Sequence, residues 1–213
     1  MKDQQHWDAV YSARTEDEMS WFQQYPKTSL DFIKLFNLPL NANIIDVGGG
    51  ASTLVDDLLA ENYSKISVLD ISAAALEVAQ NRLGQKSSSV QWIEGDITTV
   101  ALPENQYDLW HDRAVFHFLT DAKDRQDYVA QLTKALKQGG HLVISTFAEG
   151  GPQQCSNLPV VRYSPESLQR EFGAAFALQD HAFETHVTPF GTQQEFVYCR
   201  LVKCSLASIA SIA

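Results

Sequence analysis

Between residues 43 and 147 the chain alternates short apolar runs with stretches whose apolar positions recur at helical spacing. The runs at 43–47, 65–69, 90–94, 107–111 and 140–147 are rich in β-branched and aromatic residues, as strands buried on both faces are. Between them, 52–61 and 72–83 open on Ser or Thr as helix caps, and 121–136 runs helically until "KQGG" supplies a glycine stop. Strand and helix in alternation predict an α/β, doubly wound, mostly parallel sheet with right-handed crossovers. After "RY" the pattern changes. Ser164-Pro165 reads as cap and first helical turn, and 176–187 and 192–203 read as two strands joined by "TPFG", a C-terminal antiparallel hairpin. Two helices at 4–13 and 28–36 precede the first strand, with "MSWFQQYP" between them, and are placed to act as N-terminal lid helices.

Composition narrows this picture. A chain of 213 residues with 45% hydrophobic content suits one domain, expected over 1–204, with 1–38 as lid, 43–204 as core and "SLASIASIA" at 205–213 as a tail. A formal charge of −10 repels a phosphate backbone, so no nucleic-acid partner is expected. The N-terminus lacks an apolar signal core and no run reaches bilayer length, so a cytoplasmic protein with no membrane partner is expected. Cys155, Cys199 and Cys204 form no short pair, and with His181 and His186 they have irregular spacing; reduced thiols and no metal are the expectation.

The stretch "NIIDVGGGASTLVDDLL" carries the candidate chemistry. A strand, a glycine turn and a helix bring backbone N–H groups against a nucleotide-like ligand. Asp70 ends the second strand about twenty residues on, where an acid accepts from ribose hydroxyls, and Asp96 follows the third. That much suits a dinucleotide or S-adenosylmethionine. A dinucleotide fingerprint requires a third glycine where Thr53 stands, which disfavours a nicotinamide dehydrogenase, and Asp46 suits an ammonium group better than phosphates. A cationic, phosphate-free nucleoside fits best.

"IIDVGGGAST", "VLDIS", "EGDIT" and "YDLWHDRAVFHFL" stand in the order and spacing of the class I S-adenosylmethionine-dependent methyltransferases, which the chain resembles from about Trp7 to Lys203. "HWDAVY" and "MSWFQQYP" are similar to the opening of the branch containing citrate synthase lysine methyltransferase. The resemblance implies a seven-stranded Rossmann-like sheet. It also implies that Asp46, Gly48, Gly49 and Gly50 line the methionine moiety, Asp70 holds the ribose, and Ile71, Asp96 and Ile97 face the adenine. His111 falls near the sulfonium and Trp21 beside the cofactor. The chain departs from the family in carrying Ser52 where a further glycine often lies, and "DRA" where related lysine methyltransferases carry a "DKG"-like segment.

His111 and Asp112 are the catalytic candidates, set against a core histidine and an Asp112–Arg113 salt bridge; His117 reads as packing. Trp7, Tyr11, Trp21 and Phe22 are either core aromatics or walls of the transfer site, since aromatic faces attract a sulfonium. Arg162 and Tyr163, on a loop expected above the sheet, are candidate substrate contacts. The expected activity is in-line methyl transfer to a protein lysine or a small-molecule nucleophile, leaving S-adenosylhomocysteine. The alternative is a non-catalytic S-adenosylmethionine-binding sensor or interaction module, and a monomer or homodimer is expected.

Overall fold

In this computed structural model, residues 4–13 and 15–204 are described, so the expected tail at 205–213 lies outside the described residues. The main sheet is built from β1 (Asn43–Val47), β2 (Lys65–Asp70), β3 (Val90–Glu94), β4 (Tyr107–Arg113) and β5 (Leu136–Phe147). A two-residue pair, β6 (Gln154–Cys155) and β7 (Leu158–Pro159), stands apart from it, and β8 (Phe176–Val187) and β9 (Gln193–Lys203) complete it. The helices are α1 (Gln4–Ala13), α2 (Lys27–Lys34), α3 (Leu54–Ala60), α4 (Ala73–Leu83), α5 (Ala122–Ala135) and α6 (Pro165–Phe172).

The seven strands lie in the order β3-β2-β1-β4-β5-β9-β8, with β9 antiparallel to both neighbours and the other pairings parallel. This is the expected doubly wound sheet with its C-terminal hairpin. Strand order reverses between β1 and β4, which opens a crevice beyond their carboxyl ends. Alternate residues feed two cores. Ile45, Val47, Trp110 and Ile144 pack with Tyr128 and Leu132 of α5 and Leu168 of α6. Ile44, Val68, Leu109 and Val143 pack with Leu30 and Ile33 of α2 and Leu54 of α3. Covering both faces is what makes these strands read as continuous apolar runs. No described helix is long and apolar enough to cross a membrane.

Two expectations change. The fifth strand begins at Leu136, not at 140, because Leu136 is fully buried and pairs with Tyr107, and that burial overrides the glycine stop. Gly139, at φ +72°, instead sits where the register shifts between the Tyr107 and Leu109 pairings. The loop "GPQQCSNLPVVRY" contains the β6–β7 hairpin, whose Ser156 and Asn157 take φ of +49° and +63°, the left-handed pair a two-residue hairpin turn demands.

Just past β4, Ala114 takes φ +70°, at the third position of the "DRA" segment, where the "DKG"-like pattern it resembles has glycine. A Cβ in that conformation costs about 1 kcal/mol. Ala114→Gly is therefore expected to raise unfolding free energy by about 0.5–1 kcal/mol in a urea titration; a loss of stability would show that the methyl's packing outweighs the strain.

Candidate active site

The glycine turn is strapped to β2, since the N–H groups of Gly48 and Gly49 both donate to the Leu69 carbonyl at 2.7 and 3.2 Å. Side chains are excluded here by the protein itself. A Cβ would lie 1.9 Å from the Val115 side chain at Gly48, 2.3 Å from Asp46 Oδ2 at Gly49 and 2.6 Å from Asp70 Oδ2 at Gly50. The turn therefore closes directly over two carboxylates. Asp70 is buried; its Oδ2 accepts from the Gly50 N–H at 3.0 Å and its Oδ1 from the Ser72 N–H at 2.9 Å. Burial pushes its carboxyl up to about 6, against the opposing pull of those two backbone donors.

On β4 the side chains alternate between faces, and this separates the three polar residues at its end. His111 faces α2: Nδ1 bonds Asp46 Oδ1 at 2.7 Å and Nε2 bonds Ser29 Oγ at 2.8 Å, all three residues being buried. Asp112 faces α5, where it accepts from Tyr128 Oη at 2.6 Å and from the Val115 N–H at 2.9 Å. Burial pushes its carboxyl up to about 6, with the Tyr128 hydrogen bond opposing. Arg113 returns to the first face and donates from Nε to Tyr198 Oη and from Nη1 to the Trp21 carbonyl, both at 2.8 Å. An Asp112–Arg113 salt bridge is thus ruled out by the alternation.

Two adjoining cavities occupy the crevice. The first is lined by Asp70, Ile71, Gly95 and Ile97. Trp7 and Tyr11 of α1, with Trp21, Phe118, Ala114 and Cys155, form its other walls. The second is lined by Asp46, Thr53, His111 and Arg113 with Phe22 and Gln23. Gly48, Tyr11 and Trp21 border both, so the pair suits an elongated ligand bent over the glycine turn.

Most of the expected site residues meet here, and the departures have physical reasons. Gly49 and Gly50 shape the turn without lining a cavity, and Asp96 lies between the lining residues Gly95 and Ile97, its Oδ1 accepting from the Thr98 N–H and hydroxyl at 2.9 and 2.8 Å. Asp112 is corrected from catalytic candidate to buried anchor of the β4–α5 packing, because strand alternation turns it away from both cavities. Arg162 and Tyr163 are corrected too. Arg162 clamps the carbonyls of Glu149 and Gly151, and Tyr163 packs on Phe116 in the α5-side core; neither lines a cavity. His117 packs, as expected, between Phe118 and Phe147, and burial lowers it to about 3, which keeps it neutral. Sequence reasoning weighed Arg113 as a possible cation without placing it at the site, and missed Ser29. The signal for Arg113 was its position two residues after His111, on the same strand face.

The cavities fit S-adenosylmethionine on their own terms. Asp46 Oδ2 is buried with no hydrogen-bond partner among the described residues, an acceptor suited to the amino-acid ammonium. Asp70 has free lone pairs for two hydroxyls, and apolar Ile71 and Ile97 suit a purine ring.

Comparison with known proteins agrees. Residues 44–140 match the methyltransferase domain family. The chain is 22% identical over 192 residues to the human protein "EEF1A lysine methyltransferase 2", covering 82% of this chain and 74% of that one. It is 31% identical over 136 residues to "Malonyl-[acyl-carrier protein] O-methyltransferase 1" of Ilyobacter polytropus, spanning 63% of this chain but only 48% of that protein. In fold it resembles the N-methyltransferase NodS of Bradyrhizobium japonicum, solved with S-adenosylhomocysteine, at a TM-score of 0.70 and 18% identity over 96% of this chain and 100% of that one. Residues 44–140 thus carry the sequence pattern of a methyltransferase domain, and the chain as a whole resembles the S-adenosylmethionine-dependent methyltransferases in fold.

If Asp70 accepts from the ribose hydroxyls, its charged form binds better than its neutral form. S-adenosylhomocysteine affinity measured by calorimetry should then fall as pH drops through about 6. Asp70→Asn should bind about tenfold or more weakly and lack that step; pH-independent binding by the unaltered protein would contradict the assignment. In the absence of cofactor the sign is opposite. A buried carboxyl whose pKa is raised binds protons more tightly when folded, so the contribution of Asp70 to stability is complete at low pH and is lost as pH rises from about 4 to about 6.

Proposed function

We propose that this enzyme transfers the methyl group of S-adenosylmethionine to a small-molecule thiol. In this reading Asp46 holds the amino-acid ammonium, and Arg113, whose Nη2 makes no hydrogen bond among the described residues and pairs with Glu184 only at 3.9 Å, takes the carboxylate. Asp70 holds the ribose, and Ile71 and Ile97 sandwich the adenine. The cofactor supplies a methyl already activated on a sulfonium, so the protein contributes alignment and exclusion of water.

The observation that carries the choice of acceptor is that, among the described residues, no free base lines the chamber walled by Trp7, Tyr11, Trp21 and Phe118. These rings interlock edge to face, with Trp7 centred 5.7 Å from Trp21 and 5.1 Å from Phe118. His111 has both ring nitrogens engaged, by Asp46 and Ser29. Burial pushes the Tyr11 hydroxyl far above its usual range and the Cys155 thiol up to about 12, so neither accepts a proton at neutral pH. Asp70 sits at the ribose end. An acceptor must therefore arrive with its lone pair already available. A thiol of pKa about 8.5 offers a few per cent thiolate at pH 7, whereas a lysine ammonium near 10.4 offers far less free amine and an alcohol essentially no alkoxide. In the transfer, the thiol has given its proton to water, its sulfur forms the new bond to the methyl carbon, and the sulfonium carbon–sulfur bond breaks to leave a thioether and S-adenosylhomocysteine.

The test pairs 2-mercaptoethanol with ethanolamine, ethylene glycol and a lysine-rich peptide in the presence of methyl-labelled cofactor. Label is expected in the thiol fraction, with kcat/KM rising about tenfold per pH unit until the thiol's own pKa is reached. Label in the peptide, or a thiol rate independent of pH, would overturn the proposal.

A further inference from the structure

Cys155 has the cofactor chamber on one side and an outer groove on the other. The groove runs between α1, which contributes Ala9, Val10 and His6, and the β6–β7 hairpin, which contributes Gln154, Ser156 and Asn157. His6 Nε2 and Ser156 Oγ meet at 3.3 Å and tie the two walls together. Ser20 and Gln194 of β9 complete the lining. Gln194 is only 8% exposed, and its Oε1 has no hydrogen-bond partner among the described residues. A buried amide oxygen without a donor is costly unless something supplies one.

From this arrangement we infer that the groove binds the acceptor's tail, and that the tail is neutral and donates a hydrogen bond, as an amide N–H or a hydroxyl does. The inference rests on the chamber being the site of methyl transfer. Among the described residues the groove has amide, hydroxyl and imidazole groups and no carboxylate, ammonium or guanidinium, so a charged tail would lose hydration there without gaining an opposite charge. An N–H or O–H group reaching Gln194 Oε1 relieves the orphaned acceptor, while the rest of the tail lies over the alanine and valine side chains of α1. Such a neutral polar molecule differs from the basic protein segment that the chain's negative charge would favour.

Four thiols with different tails test this: N-acetylcysteamine, a neutral amide; cysteamine, a cation; mercaptoacetate, an anion; and 1-propanethiol, which is apolar. Their S-methyl thioethers are titrated calorimetrically into the protein saturated with S-adenosylhomocysteine, so binding is read without turnover. The N-acetylcysteamine thioether should bind best, by about fivefold or more over the others. Gln194→Leu should erase its advantage over the propyl thioether, and the isosteric Gln194→Glu should shift preference to the cysteamine thioether. Cofactor affinity should remain unchanged in both variants. Equal binding of all four tails, or a preference that survives both substitutions, would overturn the inference. Turnover of the four thiols is scored separately. Selective tail binding without methylation would refute the thiol proposal while leaving the groove assignment standing.

Discussion

The hydrogen bond between Asp46 and His111 joins the two strands at which the order of the sheet reverses. The residues are register partners across β1 and β4, so the bond is fixed by the strand pairing itself. A carboxyl group this deeply buried is tolerable only with strong hydrogen-bond partners, and His111 supplies one side of that requirement. Its second nitrogen carries the tie to Ser29 and so to α2. The other carboxylate oxygen lies under Gly49 without a partner. One side chain thus pins strand to strand, strand to helix, and leaves an acceptor beneath the glycine turn. A slip of β4 by one residue would put Asp112 in place of His111 and dismantle all three contacts.

The front of the chain is held to this centre by hydrogen bonds rather than by a continuous core. Asp8 accepts from Ser72 at the cap of α4, and Thr53 donates to the Gln23 carbonyl. Arg82 reaches from α4 to the carbonyls of Ala51 and Ser52 and to Glu16. These contacts position Trp7, Tyr11 and Trp21 around the first cavity. In the proposed reading the segments that meet the nucleoside also set the size and the polarity of the space where an acceptor meets the methyl group, and among the described residues that space is aromatic and without a free base. Alignment and dryness are left as the enzyme's means of catalysis.

Much of this was legible in the sequence because it follows from local rules. Burial on both faces wrote the parallel strands as apolar runs, and the glycine turn with Asp46 and Asp70 pointed to the crevice where the strand order reverses. What escaped depended on direction and distance. "HDR" reads as three adjacent polar residues, but strand alternation sends Asp112 to Tyr128 and the other two toward α2. Arg162 and Tyr163 looked available in a loop, yet one is used to clamp backbone carbonyls and the other fills a core. Ser29 gave no signal at all, since its role depends on His111, far away in sequence. The glycines are required by neighbours the sequence does not show, since a Cβ at these positions would strike Val115, Asp46 or Asp70.

The central claim is that the free oxygen of Asp46 is the cofactor's ammonium site. Its most direct test is calorimetric comparison of S-adenosylhomocysteine with the analogue lacking the amino group, in the unaltered protein and in Asp46→Asn. The account predicts that losing the amino group costs the unaltered protein about tenfold or more in affinity, and that the variant binds both ligands nearly alike. An equal preference for the amino group in both proteins would contradict it.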